Sequence, residues 1–216
     1  MPLKLKYFLF LFCTTTVFCT FTACNSPSSL PILGERYAQV RTQNGKQVVD
    51  TVYFSVPDFE FTNQDSAKVT NRTFENKIYV ADFFFTACPT ICPVIKKNLL
   101  RVQAAYKADY RLGILSHSVD TRHDSIPVLK KYSQKLHADI KQWHFVTGDK
   151  LKIYDIAANG YYSVARPDST APGGYLHSGY LILVDKKRHI RGLYDGTNTE
   201  ETDKLIGDIA TLLQEK

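Results

Sequence analysis

The sequence predicts an α/β fold, a mixed sheet flanked by helices. Lys77 to Phe85 and Tyr110 to Val119 are runs of β-branched and aromatic residues, long enough for buried strands. Pro93 to Lys107 and Asp124 to His137 follow them with apolar residues at helical spacing. The resulting order is strand, helix, strand, helix, strand, hairpin, helix, which calls for a sheet with helices packed on it. The first of these strands runs straight into a turn that holds Cys88 and Cys92, and a helix follows. A strand that ends in a cysteine turn and feeds a helix is the thioredoxin-like arrangement. Unpaired amides at such a helix N-terminus favour an anionic sulfur.

The elements follow in chain order. Residues 1–23 read as an export signal. Lys4 and Lys6 form a basic start, Tyr7 to Thr22 carries no charge, and small residues precede Cys24. Cys24 follows Phe21-Thr22-Ala23 and resembles a bacterial lipoprotein processing site, at which the cysteine becomes the N-terminus and carries lipid. The alternative is an uncleaved anchor. Tyr7 to Cys24 spans 18 residues, near the lower limit of about 17 for a membrane helix, and Thr14, Thr15, Thr16 and Thr20 make it a poor one. Both readings tether the domain in the bacterial cell envelope, facing the periplasm. Residues 24–48 are expected to form the anchored linker, with Ser and Pro enriched from Asn25 to Gly34, and residues 49–216 the domain.

Gln47 to Asn63 alternates loosely and predicts short strands. The helix from Pro93 to Lys107 places Val94, Ile95, Leu99, Val102 and Tyr106 on its apolar side, with Pro93 suited to a first turn. The next helix carries Ile126, Leu129, Tyr132 and Leu136. Trp143 to Thr147 is a third strand, and Asp149 is placed to cap a short helix through Ile156. Gly179 to Val184 and Ile190 to Tyr194 form a hairpin, with Lys186-Lys187-Arg188 at its solvated tip. Thr199 to Gln214 is a closing amphipathic helix.

Removing residues 1–23 takes away Lys4 and Lys6 and no acid, so formal charge falls from +6 to +4 on 193 residues. That length is enough for one domain with a full core. The basic residues are scattered, and no block reads as a nucleic-acid tract.

Cys13, Cys19 and Cys24 belong to the N-terminal segment, which leaves Cys88 and Cys92 as the thiols of the domain. Their i, i+4 spacing lets both sulfurs share one side of a turn, and it permits a disulfide. Two thiolates at one site also select soft metals, Cu(I) in particular. An inert disulfide closing the short loop is the plain alternative in an oxidising compartment. Pro89 and Pro93 bias Cys88 and Cys92 away from helical geometry, which predicts a stiff, non-helical loop.

His177 precedes an apolar strand in Gly173-Gly174-Tyr175-Leu176-His177-Ser178. In the thioredoxin-like order that strand edge faces the cysteine loop, so His177 can complete a set of two sulfurs and one nitrogen. Copper suits such a set, whereas structural zinc normally takes a fourth ligand. Asp120 lies where the second buried strand leaves the sheet, at the carboxyl end where open α/β sheets place their sites. It has two readings, a partner or docking contact of the site or a loop-structuring residue. His117 and His123 are read as surface residues, with accessory ligands as the alternative, and Asp124 as the cap of the helix that follows.

Three motifs together resemble the Sco/SenC family of copper-binding assembly proteins: Phe84-Phe85-Thr86-Ala87-Cys88-Pro89-Thr90-Ile91-Cys92-Pro93, then Ser118-Val119-Asp120, then Leu176-His177-Ser178. The resemblance runs from about Phe54 to the C-terminus. It implies a thioredoxin-like fold and copper, as Cu(I) or Cu(II), held by Cys88, Cys92 and His177. It also implies delivery to the binuclear centre in the copper-bearing subunit of cytochrome c oxidase, in the company of other copper chaperones, with Asp120 near the site. The chain departs from the family pattern in Val94 and Ile95, where acidic residues are frequent, and in Thr121, where proline is usual.

Two other functions fit part of the pattern. A thiol–disulfide oxidoreductase that keeps oxidase cysteines reduced needs only Cys88 and Cys92. Such proteins usually carry Cys-x-x-Cys and a proline just before the penultimate strand. Here the cysteines are one residue further apart and the nearest proline is Pro172. A peroxidase of the peroxiredoxin type wants a threonine three residues before its cysteine, and that position is Phe85.

Overall fold

Seven strands share the main sheet of the computed structural model, which describes residues 29–215. In chain order the strands are β1 (Arg36–Gln43), β2 (Lys46–Tyr53), β3 (Glu60–Asn63), β4 (Lys68–Thr70), β5 (Ile78–Phe84), β6 (Leu112–Ser118), β7 (Trp143–Thr147), β8 (Ala165–Pro167), β9 (Tyr175–His177), β10 (Tyr180–Val184) and β11 (Ile190–Asp195). The helices are α1 (Cys92–Ala105), α2 (Ile126–Lys135), α3 (Lys150–Asp155) and α4 (Thr199–Gln214). The main sheet runs β11-β10-β5-β6-β7-β3-β4. β5, β6 and β7 are parallel, and antiparallel neighbours flank them on both sides. This is the mixed, helix-flanked thioredoxin-like sheet that the segment order predicts.

Every residue of β5 and β6 is buried, because both faces of the sheet centre are covered. On one face α1 brings Lys96 onto Asp82 and Phe84, while Tyr132 of α2 stacks on Phe84, 5.4 Å between ring centres. On the other face Tyr161 packs against Phe83 and His117 and meets Tyr79 hydroxyl to hydroxyl at 3.2 Å. Asp149 caps α3 as predicted, accepting from the Lys152 amide at 3.0 Å. Asn198 caps α4, accepting from the Glu200 and Glu201 amides. Lys186 and Lys187 sit at the turn between β10 and β11.

Several expectations need correction. Residues 36–48, expected as linker, hold β1 and the start of β2, an antiparallel pair turning at Asn44-Gly45 with both residues at positive φ. Asn-Gly is the strongest short hairpin signal and overrides the polar look of this stretch. β8 and β9 form a further antiparallel pair that stands apart from the main sheet. His117, read as a surface residue, is fully buried among aromatic rings. The helix after β6 starts one residue later than expected, with Ser125 rather than Asp124 at its N-cap. The readings of residues 1–24, Cys24 included, lie outside the described residues. Among the described residues no helix is long and apolar enough to cross a membrane.

Candidate metal centre

The cysteine loop hangs from the carboxyl end of β5. Asp124 fixes its first turn, accepting from the Thr86 amide at 3.0 Å, the Thr86 hydroxyl at 2.5 Å and the Ser118 hydroxyl at 2.5 Å. One carboxylate thus ties the loop to the end of β6, a role that the reading of Asp124 as a helix cap missed. A threonine two residues before the first cysteine, opposite a strand-end serine, was the available signal. The Cys88 amide then bonds back to the Phe85 carbonyl at 3.2 Å. Cys92 is the first residue of α1, with Pro93 behind it. Pro93 therefore starts the helix rather than holding Cys92 out of it, since its missing N–H is free of any helical bond there.

His177 closes β9, opposite Ala165 of β8. Its Nε2 lies 3.9 Å from the Cys88 sulfur and 3.5 Å from the Cys92 sulfur. The three donor atoms all fall within 4.8 Å of one another, and all three residues are buried. His177 Nδ1 lies 3.1 Å from the Ser178 carbonyl, which can only accept, so Nδ1 carries a proton and Nε2 faces the sulfurs. Phe85 stands edge-on to the imidazole, 5.7 Å between centres.

The donor set passes a simple geometric test. With sulfur bonds of about 2.3 Å and a nitrogen bond of about 2.0 Å, a flat three-coordinate ion holds nitrogen roughly 3.7 Å from each sulfur. The observed 3.9 and 3.5 Å bracket that separation. Two thiolates and one imidazole, with no fourth ligand in the group, fit copper better than structural zinc.

The two thiols are electrostatically unlike. Burial opposes ionisation of Cys88, but hydrogen bonding around the sulfur outweighs it and brings its pKa down to about 6. The Thr90 and Cys92 backbone contribute, and so does the His177 ring in the metal-free site when Nε2 also carries a proton, one it must give up before it can ligate an ion. Burial dominates at Cys92 and pushes it up to about 12, against the Phe85 backbone and the positive charge of Lys96. Burial likewise lowers His117 to about 4, so its ring is neutral. His117 bonds the Asp82 carbonyl through Nδ1 at 3.3 Å and stacks on Phe83, on the sheet face away from Lys96.

Asp120 is not among the three clustered donors. It accepts from the Tyr175 hydroxyl at 2.8 Å and lies 2.7 Å from Nδ1 of His123, whose ring is exposed. Burial opposes ionisation of Asp120, and the Tyr175 and His123 hydrogen bonds overcome it, leaving the carboxyl below its ordinary pKa.

The chain is similar in sequence and fold to known proteins. The SCO1 protein homolog of Bacillus subtilis (strain 168) is 29% identical over 168 residues, covering 76% of this chain and 86% of its own. The solved SCO1/SenC family lipoprotein of Bacillus anthracis str. Ames is 27% identical with a TM-score of 0.69, covering 74% of this chain and 95% of its own. BsSco, a member of the Sco family of cytochrome c oxidase assembly proteins with an identified disulfide switch, is 28% identical with a TM-score of 0.67, covering 76% and 95%. The SCO1/SenC family profile matches residues 53–214, from the end of β2 through the cysteine loop and His177 to the last residue of α4. With the profile spanning three quarters of its length and the fold in agreement, the chain belongs to the SCO1/SenC family.

Proposed function

We propose that the protein is a copper metallochaperone that delivers copper to the binuclear copper centre of cytochrome c oxidase during assembly. The observation that carries this reading is the convergence of Cys88, Cys92 and His177 on one buried point. Copper is the cargo. Cys88 offers a thiolate at neutral pH, Cys92 gives up its proton when the ion binds, and His177 presents Nε2 because Ser178 holds its Nδ1 proton. Release needs one ligand to leave first. His177 is the candidate, because it sits on a strand pair outside the main sheet while both cysteines are built into the loop and helix. The acceptor would be the copper-bearing oxidase subunit, with other copper chaperones upstream. Lipid on Cys24 would hold the domain at the envelope membrane, a reading supported by the Bacillus anthracis relative being a lipoprotein. Cys24→Ala is then expected to block lipid incorporation and leave an unprocessed precursor. Normal maturation of that variant, still fractionating with membranes, would point to an apolar anchor instead.

A second reading has its own support. A thiol with a low pKa beside a thiol with a high pKa is the arrangement of an attacking and a resolving cysteine. A membrane-tethered reductase that keeps oxidase cysteines reduced would use it, and the disulfide switch of BsSco is in keeping with a redox-active pair. His177→Ala separates the two. Under copper delivery the variant keeps thiol–disulfide exchange but binds copper more weakly, Cu(II) more than Cu(I), because the harder ion depends more on nitrogen. Cells carrying it fail to mature cytochrome oxidase. Normal oxidase in His177→Ala cells, with loss in Cys92→Ser cells, would make the reductase the right name.

A further inference from the structure

Apart from His177 itself, the flap of residues 165–176 has a single polar fastening to the rest of the described residues, and we infer that this bond, the Tyr175 hydroxyl on Asp120, is the latch that sets how readily the flap lets go of bound metal. This rests on the copper reading of the site and concerns how that site is held shut. β8 and β9 pair only with each other, Ala165 to His177, Arg166 to Leu176 and Pro167 to Tyr175. The turn between them is closed from within. The Asp168 amide reaches the Gly174 carbonyl at 2.9 Å, the Gly174 amide reaches Ala171, and the Asp168 carboxylate takes the Thr170 amide and hydroxyl. At the base Ser178 bonds Val164 through the backbone at 3.0 Å, and the Ser163 and Ser178 hydroxyls meet at 2.6 Å. Between those ends, among the described residues, one hydrogen bond joins residues 165–176 to anything outside the flap, from Tyr175 to Asp120 at 2.8 Å.

Asp120 is a prepared acceptor. It is buried, it stands at the end of β6, and the His123 amide and ring hold its two oxygens in place. The Tyr175 ring also packs on Phe85, 5.3 Å between centres, and Phe85 is the ring that stands edge-on to His177. Gly173, at φ +79°, lies so close to the cysteine loop that a Cβ there would come within 2.7 Å of the Phe85 ring and 3.3 Å of Pro89. The flap therefore seats on the loop through Gly173 and Tyr175, with His177 two residues further on. Tyr175 and Asp120 are positioning residues. They touch no metal donor and act by holding the strand that presents one.

Removing one hydrogen bond to a charged acceptor moves the open–closed balance of the flap by between about 10- and 100-fold. A flap that is mostly closed still binds copper nearly as tightly after that change, but it opens far more often. The rate of release is thus the sensitive quantity. The test uses the full-length protein with Tyr175→Phe, Asp120→Ala and the double variant. It reads the first-order transfer of Cu(I) to an excess bidentate chelator, the alkylation rate of Cys92 in the reduced, metal-free protein, and the thermal midpoint. The latch predicts faster copper loss and faster Cys92 alkylation in Tyr175→Phe, by about 10-fold or more. In the Asp120→Ala background the tyrosine change should add nothing further. A well-folded Tyr175→Phe protein with wild-type rates in both assays overturns the latch. So does a rate gain that persists undiminished without Asp120. A wild-type protein that takes up no copper fails the functional reading instead, and the alkylation assay then still decides the latch.

Discussion

Cys88 and Cys92 are four residues apart, yet their surroundings drive them in opposite directions. Cys88 gains hydrogen bonds to its sulfur from His177 and the loop backbone, while Cys92 lies 2% exposed at the start of α1. A thiol whose pKa is depressed is anionic above the depressed value and neutral below it. Alkylation of Cys88 by iodoacetamide should therefore rise through about pH 6 and level off by neutrality. An ordinary thiol would still be gaining reactivity near pH 8.5. Cys92 should stay unreactive through the same range. Peptide mapping at each pH separates the two, and a Cys88 midpoint above about 8 would contradict the account. The sequence brought out the two cysteines and His177 as candidate ligands through spacing and strand edges, and the structure brings their donor atoms together. The sequence did not show the role of Asp124, since its bonds to Thr86 and Ser118 depend on where two chain ends meet in space. His117 was misread because a lone polar residue in an apolar run reads as exposed. In the fold, the Asp82 carbonyl and a cage of rings take it in.

Between α1 and β5 lies a charge pair that no pattern of apolar spacing announces. Lys96 and Asp82 are each 1% exposed, joined at 2.6 Å. Lys96 also donates to Ser116 at 2.9 Å and sits 4.0 Å from the centre of the Phe84 ring. Ser116 passes a hydrogen bond to Asp82 and accepts one from the Trp143 indole at 2.9 Å. Every polar group of the pair thus has a partner, the condition for burying charge at tolerable cost. Lys96→Ala should destabilise the fold by about 3–5 kcal/mol, because Asp82 is left buried and unpaired. Lys96→Met together with Asp82→Leu should recover most of that loss. Urea denaturation of the single and double variants checks both values. A single variant within about 1 kcal/mol of the wild type would mean that the pair is solvated in solution. The helices and parallel strands around this pair were readable from apolar periodicity. β2 was anticipated by the loose alternation from Gln47, but β1 was not, because all of it is exposed and it buries no apolar face whose period would betray it.

At the scale of the whole molecule, the sheet delivers two separate pieces of chain to one point. The parallel crossover from β5 through α1 to β6 sets the cysteine loop at the carboxyl end of the sheet. The flap of β8 and β9, entering just before β10, sets His177 over it. The fold itself thus accounts for a three-donor site in which His177 meets cysteines 85 and 89 positions before it in the chain. If the site works as proposed, it holds copper through all three donors. The most direct measurement is copper titration of the reduced soluble domain, from about residue 30 onward, followed by X-ray absorption at the copper edge. The expected result is one copper per protein with two sulfur neighbours and one nitrogen, the nitrogen lost in His177→Ala and the stoichiometry broken in Cys88→Ser. One copper bound as before in Cys88→Ser, or a wild-type spectrum without the nitrogen neighbour, would contradict it.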